Sequence, residues 1–168
     1  MKKNTAIFFV LLFAAVLCSC ASMYIKPTIQ AELFRQKVPG PAAVLFKAAQ
    51  YIIPALGYKI DGSDPRSGTF TTAPVEMTLD QNSCDCGSNL GLPVIKSKGT
   101  KGKVYFIIGV LDNELTVRAE IVPELTDLLS TLGTAANIVC VSKGGLEKTF
   151  AKNFLNKMGE SALQMLFK

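Results

Sequence analysis

Histidine and tryptophan are both missing from this 168-residue chain. Without an imidazole there is no Ser-His or Cys-His couple and no histidine-built metal site, which removes most hydrolase and metalloenzyme chemistries. No serine stands in a G-x-S-x-G turn. Asp61 and Asp64 fall inside "DGSDPRSG", where turn formation accounts for acidic residues without catalysis. No catalytic residue, metal ligand or cofactor is assigned. Charge is scarce too: 18% of residues are Asp, Glu, Lys or Arg, and the net charge is +5. That balance does not call for a nucleic-acid partner. The apolar run Ala6 to Leu17 falls short of the roughly 20 residues of a membrane-spanning helix.

That run has another use. Met1-Lys2-Lys3-Asn4 gives it a short positive flank, the arrangement of a secretory signal. Residues 1–19 are expected to be a signal peptide, and its loss takes away Lys2 and Lys3, so that the net charge of +5 falls to +3. "LCSC", Leu17 to Cys20, resembles the lipobox of bacterial lipoproteins, with Leu17 three positions before Cys20 and small Ser19 directly before it. Choosing Cys18 instead puts Ala15 and bulky Leu17 at those positions, a poorer fit. An ordinary signal-peptidase cut near "CSCAS" and a plain transmembrane anchor are the competing readings. The resemblance implies acyl chains on Cys20. Ala21 follows where an acidic residue would signal inner-membrane retention, so it also implies an outer-membrane protein facing the periplasm. Each buried methylene contributes about 0.8 kcal/mol, and two or more chains hold a protein on a membrane stably. The membrane is thus the first expected partner, reached through residues 20–38 as lipidated N-terminus and tether, with a helical turn near Ile29 to Gln36.

Of the five cysteines, Cys18 leaves with the signal and Cys20 is lipidated, which leaves Cys84, Cys86 and Cys140 in an oxidising compartment. Three thiols cannot all pair. One disulfide between Cys140 and either Cys84 or Cys86 is expected, closing a long loop and stabilising the domain by about 3 to 4 kcal/mol. Cys-Asp-Cys lacks the Cys-x-x-Cys spacing of redox catalysts, and three thiolates without histidine make a poor zinc set.

Residues 39–168 read as one domain. Pro39 and Pro41, then Leu45, Ala48, Ala49, Ile52, Ala55 and Leu56 at helical spacing, then Gly57, mark a helix bent near Pro54. Two short strands follow, Tyr58 to Asp61 and Gly68 to Thr72. Phe70 is out of phase with Val75, Met77 and Leu79, so a bulge or an edge position is expected near Pro74. The Gly- and Asn-rich stretch from Leu79 to Lys103 is long for a connection and reads as a loop pinned by a disulfide. Its lysines, Lys96, Lys98, Lys101 and Lys103, read as a solvated loop, with anionic head groups or an acidic partner as the alternative.

The strongest pattern is a hairpin across Lys103 to Val122 with its turn at Asp112-Asn113. The first strand is apolar on both faces, at Val104, Phe106, Ile108 and Val110 and again at Tyr105, Ile107 and Leu111, and is expected to be central or covered. A short helix from Pro123 to Gly133 and an extended piece from Ala135 to Val141 come next. Leu146, Phe150, Phe154, Met158, Ala162 and Leu166, with Ala151 and Leu155 beside them, then define a long C-terminal helix. Gly144-Gly145 before it raises an anion site at the helix N-terminus, on weak grounds.

Antiparallel strands with helices on one face give an α+β domain of two layers. The succession "ALGYKI", "SGTFTT", strong hairpin and long C-terminal helix resembles the helix-grip-type domains of Gram-negative envelope lipoproteins, such as the C-component of the barrel-assembly machine. That resemblance implies a non-catalytic interaction or scaffold module with an envelope protein as partner. The alternative is a carrier with a small apolar ligand or lipid between sheet and C-terminal helix, for which Gly109 is expected to line the cavity.

Overall fold

A computed structural model describes residues 24–89, 91–95, 99–111, 113–124 and 138–166, with side chains to Glu160 at the C-terminal end. The hairpin expected from alternation is its spine. Strand β9 (Thr100–Leu111) pairs antiparallel with the whole of β10 (Glu114–Pro123), from Gly102↔Pro123 to Leu111↔Glu114. Asn113 takes φ 61°, a left-handed turn that asparagine tolerates.

The other edge of β9 is shared between two strands. Strand β4 (Thr69–Thr72) pairs at Ile107 to Gly109 and β5 (Val75–Leu79) at Thr100 to Val104. Pro74 breaks the chain between them, so the expected change of phase is a strand break, while the bulge lies elsewhere, in β3 (Ile60–Asp64) between Ile60 and Gly62. The gap leaves Phe106 N–H beyond the last β4 ladder pair, Thr71↔Ile107. It donates instead to Thr72 Oγ1 at 2.9 Å, which keeps a buried amide satisfied. Strand β3 covers β4, so the main sheet runs β2-β10-β9-β4-β3, with β5 beside β9.

Strand β2 (Phe34–Lys37) corrects the expected helical turn at Ile29 to Gln36: it pairs with β10 from Glu114 to Val117, and Val38 is buried in the core. Further upstream, β1 (Tyr24–Ile25) pairs with β7 (Ser88–Asn89), which pairs with β8 (Leu92–Pro93). Residues 24–38 are therefore tied to the domain at both ends of the segment.

Helix α1 (Ala42–Ala55) follows Pro41, whose φ of −61° suits a helix start. Pro54 sits in the last turn and the helix ends one residue later, so the expected bend is a termination; Gly57 at φ 87° turns the chain out. Leu45, Ala49, Ile52 and Ile53 are its buried residues. Helix α2 (Gly145–Leu166) buries Phe150, Ala151 and Phe154, with Leu146, Leu155 and Met158 packed beside them.

Both helices lie on one face of the sheet, against Phe70, Val104, Phe106, Ile108, Leu115 and Val117. Aromatic rings fill this layer: Phe106 stacks on Phe150 at 4.7 Å, Phe46 on Phe70 at 4.4 Å, and Tyr58 meets Phe106 edge-on at 5.3 Å. The result is an α+β fold, with an antiparallel sheet and two helices among the described residues. The lipobox residues with Cys20, the lysines Lys96 and Lys98, Asp112 of the hairpin turn and the bulk of the expected helix Pro123 to Gly133 lie outside the described residues.

Candidate interaction surface

The cysteines resolve one open pairing. Cys86 is bonded to Cys140 across 54 positions, and Cys84 is the buried cysteine left over. Register explains the choice. Strand β6 (Cys84–Asp85) pairs with β11 (Val141–Ser142) as Ser142↔Cys84 and Val141↔Asp85, which brings Cys140 opposite Cys86 and Cys84 opposite a serine. Burial pushes the Cys84 thiol above its ordinary pKa, with Ser83 pulling weakly the other way. A buried thiol held neutral is a poor nucleophile and a poor metal ligand.

The rest of the β10 edge is closed by a residue that the sequence pattern did not single out. Glu147 has no exposed surface. Its carboxylate accepts Ala119 N–H at 3.1 Å and the Ser142 hydroxyl at 2.6 Å, while Ser142 Oγ accepts Gly144 N–H at 3.1 Å. The β10 edge is thus occupied in succession by β2, by Glu147 and by an isolated bridge from Ile121 to Cys140. In the sequence Glu147 passes for an ordinary acidic residue of a first helical turn. Its spacing of three, four and seven from Phe150, Ala151 and Phe154 is the signal that it shares their buried stripe.

The same neighbourhood removes Gly144-Gly145 as an anion site. Gly144 has φ 84° and the Glu32 carboxylate lies where its Cβ would be, with Lys148 pairing to Glu32 at 3.7 Å. Two carboxylates already occupy this helix start. Asp64 accepts Arg66 N–H and the Ser67 hydroxyl, which hold it below the usual carboxylate range, and Asp80 is lowered likewise by Ser83 and Asn82. Both are turn-forming residues on the surface.

The other side of the sheet has no helix packed on it among the described residues. Registration places Tyr105, Ile107 and Gly109 of β9 in one row, with Thr116, Arg118 and Glu120 of β10 on one side and Thr69 and Thr71 of β4 on the other. Tyr105, Ile107 and the threonines are half-buried by their neighbours alone. The second apolar face of β9 is therefore central in the sheet, and no helix among the described residues lies on it. Gly109 points to this side: a Cβ there meets Thr116 Oγ1 and not a cavity beneath the helices, which corrects its expected position. Around the row lie exposed ion pairs, Arg35 with Glu114 at 3.4 Å, Arg118 with Glu120 at 3.8 Å and Lys103 with Glu124 at 3.6 Å. Such pairs contribute about 0 to 1 kcal/mol each to stability, so they can be traded for a partner's charges at little cost. At the hairpin end, Lys37, Val38, Pro39, Asn113 and Glu114 line an open depression of about 570 Å³.

Compared with known proteins, the chain matches no family model and no curated protein. Among the described residues no helix is long and apolar enough to cross a membrane.

Proposed function

We propose that this protein is a lipid-anchored, non-catalytic interaction module of the bacterial cell envelope, held in the outer membrane through Cys20 and facing the periplasm. The single observation that carries the interaction part is the uncovered row Tyr105, Ile107 and Gly109, flanked by threonines and by exchangeable ion pairs. An aromatic and an aliphatic side chain in a polar frame is the composition that protein partners bury. The filled aromatic layer beneath the helices favours this reading over carriage of an apolar ligand. The lack of histidine supports a role without catalysis. The lipobox "LCSC" supports the anchor.

The test is a photo-crosslinking amino acid placed at Ile107 in intact cells, with Tyr51 on the exposed side of α1 as the reference position. A discrete protein adduct from Ile107, absent from Tyr51 and lost on Thr71→Arg with an unchanged unfolding midpoint, is expected. Adducts of equal yield from both positions, or none from Ile107, would overturn the assignment of this face.

A further inference from the structure

We infer that the domain does not swing on a tether but lies on the bilayer, with the β1–β7–β8 ribbon seated in the lipid head groups. This rests on the reading of Cys20 as lipidated and deepens it by naming the surface that meets the membrane.

The first argument is reach. Tyr24 lies four positions after Cys20, a span of at most about 14 Å for an extended chain. Tyr24 is where the fold takes hold. Its hydroxyl bonds the Cys86 carbonyl at 3.1 Å and the backbone of Val139, whose N–H it accepts at 3.1 Å. Those contacts sit on both arms of the Cys86–Cys140 disulfide, so the start of β1 is fixed to a covalently closed part of the domain. A lipid on Cys20 consequently holds the ribbon within one short chain length of the interface, at a high effective concentration.

The second argument is what the ribbon shows. Because Tyr24 turns inward, the opposite side of β1 faces out, and registration sets Ile25, Ser88 and Pro93 in one row across the three strands. Ile25 is 57% exposed, and Leu92 on the rim is 71% exposed. Leu92 pairs with Asn89, which pairs with Tyr24, so it belongs to the other row, at the free edge of the ribbon about 10 Å from β1. Lys26 follows Ile25 and is exposed, and no carboxylate occurs in β1, β7 or β8, so nothing in these strands repels an anionic lipid surface. An exposed isoleucine beside a lysine, close to the anchor, matches the chemistry of the head-group layer.

The chain's lack of tryptophan makes the test direct. Full-length protein carrying Ile25→Trp, Leu92→Trp or Tyr51→Trp is purified from membranes and reconstituted into phosphatidylethanolamine–phosphatidylglycerol vesicles whose acyl chains are brominated near the head groups. Mass spectrometry of the same samples reads the lipid on Cys20. Loss of emission for Ile25→Trp, smaller for Leu92→Trp on the other row and absent for Tyr51→Trp, is expected. If the lipid mass is present and the protein sediments with the vesicles, yet Ile25→Trp emits as strongly as Tyr51→Trp, the seated ribbon is overturned and the anchor stands. If no lipid mass is found on Cys20, anchor and ribbon fall together.

Discussion

A carboxylate with no exposure needs hydrogen bonds to be tolerated, and Glu147 has them from two elements at once. Glu147→Ala removes the acceptor of a strand amide and of a buried hydroxyl. Each unsatisfied group costs about 1 to 3 kcal/mol, so urea unfolding should register a loss on the order of 3 kcal/mol, partly restored by Glu147→Gln. Cys84 makes a prediction in pH. An unfolded thiol titrates near ~8.5, whereas burial raises the folded value. Between the two, the folded chain holds the proton that the unfolded chain has released. Stability is therefore complete below the unfolded value and falls as pH rises towards the folded one. Tyr58, also raised by burial, acts in the same sense at higher pH. Cys84→Ala should flatten the first part of the alkaline decline in denaturation midpoints. At neutral pH the Cys84 thiol in native protein should resist alkylation until denaturant is added.

At the scale of elements, the disulfide links the short β6–β11 pair to the β10 edge, closing a loop of 54 positions. Loop-closure entropy assigns such a crosslink about 4 kcal/mol. The double variant Cys86→Ser, Cys140→Ser should lose stability of that order in equilibrium unfolding and leave the β9–β10 hairpin amides the last to exchange with deuterium. A midpoint unchanged by the double substitution would mean that β6 and β11 are held by other contacts. Helix α2 is joined to the sheet by Phe150 and Phe154, and Phe150→Ala should cost about 3 to 5 kcal/mol, because its ring contacts Phe106, Tyr58 and Phe154 together. Elements whose pattern is local were legible in the sequence. The hairpin, α1 and α2 announce themselves by alternation or by helical spacing. Strand β2 was not legible: "FRQK" has one apolar residue, and its strand form comes from pairing with β10 some eighty positions away.

Across the whole molecule, the two sides of the sheet have different tasks. Among the described residues, one side is closed by two helices and a stacked aromatic layer; the other bears threonines, a tyrosine, an isoleucine and ion pairs with no helix on it. The candidate surface was half visible beforehand. The doubly apolar β9 flagged both faces, and parity alone cannot say which phase the helices will cover. Gly109 shows the ambiguity at one residue, since it lies with Tyr105 and Ile107 on the open side. A bulky residue there collides with Thr116 without filling any space under the helices. Gly109→Leu should therefore lower stability by about 1 to 3 kcal/mol, measured by thermal unfolding, and should disturb the open face.

The sequence by itself determined the α+β class, the central hairpin, both long helices and the participation of Cys140 in a disulfide. These depend on periodicities within about twenty residues and on the odd number of cysteines. Tertiary structure alone decided that Cys86 is the partner, that residues 24–38 join the sheets, that Glu147 is buried and which face of β9 stays open. Each of those is set by registration between segments far apart in the chain: a shift of two residues would exchange Cys86 for Cys84 opposite Cys140, and a shift of one would exchange one face for the other.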